Sequence, residues 1–168
     1  MIIRENYVIT GPLYQEALQY AERSKTFTSN RHDFHAGGLE NKKKKMFEGK
    51  LGEKAVKLFL LENKIQFVED HTSYDTRDEY DFLLVNKTER LKVDVKTRTE
   101  AYHKRTISVR LFRETNTVKL VGWYTFHDMI QKNQIENQGY LDNYVMYDKD
   151  LRSMFDLESL ILNRFRKE

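Results

Sequence analysis

The stretch YDFLLVNKTERLKVDVKTRT, residues 80–99, has the pattern of two short β-strands joined by a polar turn. FLLV and LKVDV supply the apolar and β-branched residues that strands favour, and the NKTE segment between them is polar. Asp81 opens the first strand, and Asp94 and Lys96 lie near the end of the second, where burying a charge is costly. The hairpin therefore predicts the centre of the fold and three candidate functional residues.

Antiparallel pairing around a loop centred on Lys87 and Thr88 places Asp81 opposite Asp94, because paired residue numbers have a constant sum. Side chains that face each other in this way have Cβ atoms about 4.5–5.5 Å apart, so the two carboxylates repel. A divalent cation between them reverses that penalty, since Mg²⁺ takes oxygen ligands from one or two carboxylates and from water. The letters KT suit a two-residue turn poorly, and a four-residue loop with the same centre preserves the pairing.

Strand alternation places Lys96 on the same face as Asp94, with Val93 and Val95 on the other face. An ammonium group in this position can orient an attacking water, help it to ionise or stabilise charge on an attacked phosphate. An ordinary surface ion pair between Lys96 and Asp94, worth about 0.2–1 kcal/mol, is the alternative interpretation.

The residues before the hairpin predict two helices, at 11–27 and 46–63, because their apolar residues recur at three- to four-residue spacing. Residues 28–45 between them show no period and are expected to form a loop. Short strand patterns and a last helical pattern complete the chain. The further predicted strands are 64–70, 106–112, 118–126 and 144–149, and the last predicted helix is 151–168.

Glu53 lies on the second predicted helix, directly after the two glycines of EGKLGEK and four residues before Lys57. Gly49 and Gly52 each cost about 1 kcal/mol in a helix interior relative to alanine, which indicates close approach of another group. Glu53 is a fourth candidate site residue, although an i,i+4 ion pair with Lys57 would explain it equally well.

The element order predicts one α/β (α+β) domain over residues 1–168, with a mixed β-sheet flanked by helices and a core of αβββ followed by additional strands and a C-terminal helix. Its parts are an N-terminal helix and basic loop (1–45), a core that carries the candidate site (46–99), and a sheet extension with the last helix (100–168).

A helix glutamate in EGKLGEKAVKLFL, an aspartate opening YDFLLV and the acid-x-Lys of VDVKT together resemble the PD-(D/E)XK nuclease superfamily, which has the restriction-endonuclease-like fold. The resemblance implies that Asp81 and Asp94 bind Mg²⁺, with Mn²⁺ as a substitute. It also implies that Glu53, as an auxiliary acid, binds the metal directly or through water and that Lys96 assists the attacking water. A core of αβββαβ type and DNA as substrate are further implications, and a homodimer is expected by analogy.

The resemblance covers residues 46–99, and Tyr80 stands where the family name has proline. Residues 99–118 read as loop and strand, where many members of the family have a helix. Within this fold a branched-DNA (Holliday junction) resolvase is an alternative to another endonuclease. A catalytically inactive nucleic-acid-binding protein is the alternative from another functional class.

The charge of the chain is only mildly basic, with a net +3 over 168 residues. The basic residues cluster on both sides of the hairpin acids, where a polyanion is expected to bind. The predicted phosphate contacts are Lys42, Lys43, Lys44, Lys45, Lys50, Arg98, Lys104 and Arg105. His32 and His35 lie near Asp33 in RHDFH, and a polar loop is favoured there over a metal site.

Composition excludes several classes of protein. Without cysteine there is no disulfide, no thiolate nucleophile and no cysteine-bound metal, so a metal must bind oxygen or imidazole. The sequence has no GxxxxGK or GxSxG motif, which leaves P-loop nucleotide hydrolysis and serine-esterase chemistry unsupported. It also has no long apolar run and no secretory pattern in MIIRENYVIT. We therefore expect an intracellular, cytoplasmic protein without membrane contact, encoded by a cell, a virus or a mobile element.

Overall fold

A computed structural model of the chain describes residues 4–28, 38–70, 80–98, 107–137 and 142–166. Within these residues the protein is a mixed α+β structure, which confirms the predicted class. Several residues named above lie outside the described part of the chain. They are His32, Asp33, His35, Lys104 and Arg105, and the side chain of Arg98 is also not described.

Four α-helices lie in the described residues, together with nine β-strands. The helices are α1 (Gly11–Thr28), α2 (Gly38–Glu62), α3 (Phe126–Lys132) and α4 (Met154–Leu160). The strands are β1 (Asn6–Val8), β2 (Phe67–Glu69), β3 (Phe82–Val85), β4 (Arg90–Val93), β5 (Val95–Arg98), β6 (Ile107–Phe112), β7 (Thr117–Trp123), β8 (Ile135–Asn137) and β9 (Asp142–Tyr144). Short 3₁₀ helices follow at Asp148–Asp150 and Leu162–Phe165.

The strands form three sheets of four, three and two strands, in the orders β1-β7-β6-β5, β2-β3-β4 and β8-β9. Only β5 and β6 pair in parallel, so the four-stranded sheet is mixed. The strand predicted over 90–97 is divided at Asp94, where β4 ends in one sheet and β5 begins in another. The backbone carbonyl of Asp94 accepts from the N–H of Ile107 at 3.1 Å. Asp94 therefore lies at the junction of the two larger sheets.

The main hydrophobic core lies between α2 and the four-stranded sheet. Helix α2 buries Leu51, Ala55 and Phe59, and the sheet buries Val109 and Leu120 beneath them. Complete burial of a leucine or phenylalanine side chain contributes roughly 1.5–3 kcal/mol, so this face of the helix fixes its position on the sheet. Helix α1 packs along α2, with the rings of Tyr14 and Phe47 edge to face at 5.1 Å.

The loop predicted over 28–45 is wrong for residues 38–45, which form the first two turns of α2. Lysine has a good helix propensity, and the run from Lys42 to Lys45 continues the helix without interruption. Lys43 also forms an ion pair with Glu22 of α1, which fixes the extended helix against its neighbour. The absence of an apolar period in these residues reflects their surface position, not a loop.

The C-terminal third differs from the prediction in three places. The strand predicted over 118–126 ends at Trp123. Thr125 then caps the start of α3 with a capping box, in which its hydroxyl accepts from the N–H of Asp128. The strand predicted over 144–149 is only the end of β9 followed by a 3₁₀ turn. The helix predicted over 151–168 begins at Met154, where Ser153 caps it, and its α-helical part ends at Leu160.

Candidate active site

The β3–β4 hairpin has the predicted register, with Phe82 opposite Val93 and Val85 opposite Arg90. Its turn spans four residues, because the side-chain oxygen of Asn86 accepts from the backbone N–H groups of Thr88 and Glu89. The pairing arithmetic derived from the sequence is therefore confirmed for the paired residues of the hairpin.

Asp81 forms hydrogen bonds with the residues on both sides of Asp94, where the two sheets meet. Its backbone N–H donates to the carbonyl of Val93 at 3.0 Å, and its side-chain Oδ2 accepts from the N–H of Val95 at 2.5 Å. The residues on both sides of Asp94 are thus tied to Asp81. The structure therefore brings together the two strand carboxylates that the sequence predicted as neighbours.

The carboxylate of Asp81 lies in an acidic, poorly hydrated place. Burial, the Glu53 carboxylate and the Asp94 carboxylate raise its pKa to about 8, although the N–H of Val95 and the ammonium of Lys50 act in the opposite direction. Glu53 on α2 thus lies close enough to interact with Asp81 electrostatically. These three carboxylates, Glu53, Asp81 and Asp94, are called the acid cluster below.

Lys96 lies beside the acid cluster, and its Nζ donates to Oδ1 of Asp94 at 3.0 Å. The Lys96 side chain is 40% exposed and the Asp94 side chain 29% exposed, so the pair faces solvent at its outer edge. The second oxygen of Asp94, Oδ2, is buried and has no hydrogen-bond partner within the described residues. The predicted shared face of Asp94 and Lys96 is confirmed, and one carboxylate oxygen there is left to accept a ligand.

Lys50 forms an ion pair with Glu53 that was not predicted from the sequence. Its Nζ lies 2.6 Å from Oε2 of Glu53, and each side chain is only 13% exposed. The same ammonium lies 4.1 Å from the centre of the Tyr20 ring of α1. Although burial alone would lower the pKa of Lys50, Glu53, Tyr20 and Asp81 raise it above its ordinary value. Lys50 was predicted as a phosphate contact, but its ammonium instead pairs with Glu53 of the acid cluster.

The acid cluster is not arranged as a three-ligand metal site. Within the described residues, no group of three Asp, Glu or His side chains stands in position to hold one ion. Glu53 is paired with Lys50, whereas Asp81 and Asp94 share the sheet junction. Two carboxylates completed by water suffice for Mg²⁺, so Asp81 and Asp94 are the residues that could hold it.

Helix α2 can bring Glu53 to this site only because residue 52 is glycine. A Cβ atom on Gly52 would lie 1.8 Å from Oγ1 of Thr97 and 2.8 Å from Cγ2 of Val109. Gly49 differs, since a Cβ there would have no atom of the described residues within 4 Å. Its carbonyl accepts from the hydroxyl of Thr97 at 3.2 Å. The predicted close approach is thus confirmed for Gly52 and wrong for Gly49.

The alternative partner for Glu53, Lys57, pairs elsewhere. Its Nζ lies 2.5 Å from Oε2 of Glu69 in β2, and Lys54 lies 2.9 Å from the other oxygen of that carboxylate. Burial raises the pKa of Glu69, but the hydrogen bonds from Lys57 and Lys54 outweigh it and hold the pKa below its ordinary value. Lys54 and Lys57 of α2 are therefore engaged with β2.

Among the described residues, the other predicted phosphate contacts lie on α2 and at the end of β5. Lys44 and Lys45 are exposed on the N-terminal half of α2, where Lys42 and Lys43 are half-buried. The backbone of Arg98 pairs in parallel with Arg110 of β6.

In comparisons with protein-family models, with curated proteins and with solved structures, nothing matches this chain. No helix within the described ranges is both long enough and apolar enough to cross a membrane.

The raised pKa of Asp81 gives a pH-dependent prediction for the metal-free protein. The folded state binds the Asp81 proton more tightly than the unfolded chain, where the pKa has its ordinary value of 3.8. The resulting stabilisation is complete below about pH 3.8 and is lost as the pH rises through about 8. We expect the free energy of unfolding, measured with urea in EDTA, to fall more steeply from pH 4 to 8 in wild type than in Asp81→Asn. If the free energy of unfolding changed with pH to the same extent in both proteins, the raised pKa of Asp81 in the acid cluster would be contradicted.

Proposed function

We propose that the protein is a Mg²⁺-dependent DNA endonuclease of restriction-endonuclease-like fold. The observation that carries this proposal is the position of Asp81 beside Asp94 at the junction of two sheets, with the Lys96 ammonium 3.0 Å from Asp94. This arrangement combines acidic ligands for a hard cation with a positive charge at the solvent edge. Both elements assist the hydrolysis of a phosphodiester.

The residues present fit a divalent cation. A buried acceptor without a partner costs about 1–3 kcal/mol, and the Asp94 Oδ2 atom is such an acceptor within the described residues. Carboxylate oxygens are the ligands that Mg²⁺ and Mn²⁺ prefer, so a cation between Asp81 and Asp94 would satisfy this oxygen. When bound, the ion would activate water and offset charge on the phosphate and the leaving oxygen.

The chain's own residues would divide the remaining work. Lys96 stands at the exposed edge of the pair, where its ammonium can orient the attacking water or donate to a phosphate oxygen as negative charge develops. Asp81 is half-buried and is held by the N–H of Val95, so its carboxylate has a fixed direction. Glu53 would act through water, because Glu53, Asp81 and Asp94 do not stand in position to hold one ion together in the described residues.

DNA is the proposed substrate because exposed lysines lie on the helix that carries Glu53. Lys45 precedes Glu53 by eight positions, which corresponds to about 12 Å along a helix at 1.5 Å per residue. Lys44 and Lys45 are therefore within reach of phosphates next to the one that is cut. A homodimer would place two sites on the two strands of a duplex, and we propose this state together with a cytoplasmic location.

A DNA-binding protein of the same fold without catalysis is the second candidate. It is favoured by the Lys50–Glu53 ion pair, which removes one carboxylate from the acid cluster. The same pair is compatible with an enzyme that needs only two protein ligands, and the orphan oxygen of Asp94 favours that enzyme. Metal-dependent cleavage separates the two candidates.

The proposed function is tested by a cleavage assay in Mg²⁺, in Mn²⁺ and in EDTA. Supercoiled plasmid, linear duplex, a four-way junction and single-stranded DNA form the substrate panel, so that a branched-DNA resolvase is recognised by its preference. We expect cleavage of at least one substrate with either metal and none in EDTA. Asp94→Asn, purified in parallel, controls for contaminating nuclease. DNA binding without cleavage of any substrate would contradict the enzyme and favour the second candidate.

A further inference from the structure

Lys50 is a largely enclosed cation whose ammonium pairs with one carboxylate of the acid cluster. Its side chain and that of Glu53 are each 13% exposed, and 2.6 Å separates Nζ from Oε2. The ring of Tyr20 contacts the same ammonium at 4.1 Å. A lysine at the surface would extend into water, whereas this one is enclosed by α1, by its own helix and by the acids. Its position is that of a counter-ion for the acid cluster.

We propose that Lys50 is an internal counter-cation that competes with the divalent metal and must leave Glu53 when the metal binds. The inference rests on the proposed function, since it concerns the same site. It assigns to Lys50 a regulatory role in metal loading instead of the phosphate contact expected from the sequence.

The physical basis is the repulsion between like charges in a poorly hydrated site. The Lys50 ammonium acts on both Glu53 and Asp81, so an ion entering between Asp81 and Asp94 meets a positive charge that is already in place. The ammonium also offsets the negative charge of Glu53, which would otherwise draw a cation toward the acid cluster. Displacement of Lys50 would restore that charge and remove the repulsion.

Helix α2 supplies a matched control in Lys57. Its Nζ forms a comparable ion pair, at 2.5 Å, with Glu69, and that carboxylate belongs to β2 and not to the acid cluster. Lys57→Gln therefore removes a lysine and an ion pair from the same helix without changing the charge beside Asp81. Lys50→Arg is the second control, because it keeps the positive charge.

The first measurement is the Mn²⁺ dissociation constant of wild type, Lys50→Gln, Lys50→Arg and Lys57→Gln, followed by electron paramagnetic resonance of free Mn²⁺. We expect Lys50→Gln to bind Mn²⁺ at least tenfold more tightly than wild type and the other two variants to remain within about threefold. Unchanged or weaker binding by Lys50→Gln would overturn the inference and leave the proposed function intact. Failure of every protein to bind Mn²⁺ would overturn both.

A second measurement uses the wild-type chain and does not depend on the folding of a variant. With lysines labelled at the ε carbon, Mg²⁺ is titrated while the Lys50 and Lys57 resonances are followed by NMR. We expect the Lys50 resonance to shift with metal saturation and the Lys57 resonance to remain in place. A Lys50 resonance that does not move at saturating Mg²⁺ would overturn the inference, because the ion would then bind without displacing the lysine.

Discussion

Asp94→Asn is expected to lower the rate of DNA cleavage by at least about 1000-fold while DNA affinity changes by no more than about twofold. The substitution keeps the shape of the side chain but removes the negative charge that would hold the cation at the sheet junction. The buried Oδ2 position is changed directly, since it has no other partner in the described part of the chain. Single-turnover cleavage and fluorescence anisotropy with labelled DNA measure the two quantities.

Lys96→Ala separates metal binding, which is assigned to Asp94, from positioning of the attacking water, which is assigned to Lys96. It is expected to lower the cleavage rate by about 100- to 1000-fold without weakening Mn²⁺ binding, because the Lys96 ammonium is not a metal ligand and carries the same sign of charge as the ion. Lys92→Ala is the matched control, since Lys92 belongs to β4 of the same hairpin and its ammonium lies over the Tyr80 ring. Full activity of either Asp94→Asn or Lys96→Ala would remove the assigned roles.

Gly52→Ala is expected to lower the free energy of unfolding by about 3 kcal/mol, which is a large effect for one methyl group. The new Cβ would lie 1.8 Å from Oγ1 of Thr97 and 2.8 Å from Cγ2 of Val109, so α2 must move away from β5 and β6. Because Glu53 is the next residue, the same movement would change its electrostatic effect on Asp81. Urea unfolding followed by circular dichroism measures the stability.

Gly49→Ala is the matched control on the same helix. A Cβ at this position has no atom of the described residues within 4 Å, so the variant is expected to gain about 1 kcal/mol from helix propensity alone. Thr97→Ala should restore part of the stability lost in Gly52→Ala, because it removes the closest atom but leaves Val109. Equal stabilities of the two glycine variants would contradict the packing of α2 on the sheet.

The hairpin could be predicted from the sequence because two-residue alternation and a constant pairing sum are local properties. They gave the register of β3 and β4 and the shared face of Asp94 and Lys96, both as observed. The division of the second strand at Asp94 could not be predicted, since the apolar alternation continues through Val93 and Val95. Which strands pair on either side of that residue is a long-range property.

Helix boundaries were predicted less well where the helix does not face the core. Residues 38–45 lack an apolar period, and their helix is extended along α1 by contacts such as the Lys43–Glu22 pair. Helix α3 has a local signal, the capping box of Thr125 and Asp128, which the apolar residues before it concealed. Both errors come from taking the apolar pattern as the only guide to secondary structure.

The charges around Glu53 show the same limit at the site. The sequence offers Lys50 at three residues and Lys57 at four residues from Glu53, and both spacings allow an ion pair. The choice is made by distant residues. Glu69 of β2 takes Lys57, while Tyr20 of α1 encloses Lys50 beside Glu53. The spacing rules for a helix do not include Glu69 or Tyr20, which lie on other elements. The Lys50–Glu53 pair could therefore be recognised only in the folded chain.

The central claim, that Asp81 and Asp94 together hold a divalent cation, is tested most directly by calorimetric titration of Mn²⁺ into wild type, Asp81→Asn and Asp94→Asn. Asp70→Asn is the control, because Asp70 follows β2 beside Asp81 and has no assigned metal role. Saturable binding to wild type and Asp70→Asn, weakened at least about 100-fold in both other variants, is the predicted result. Equal Mn²⁺ affinity in all four proteins, or no binding to any of them, would contradict the claim.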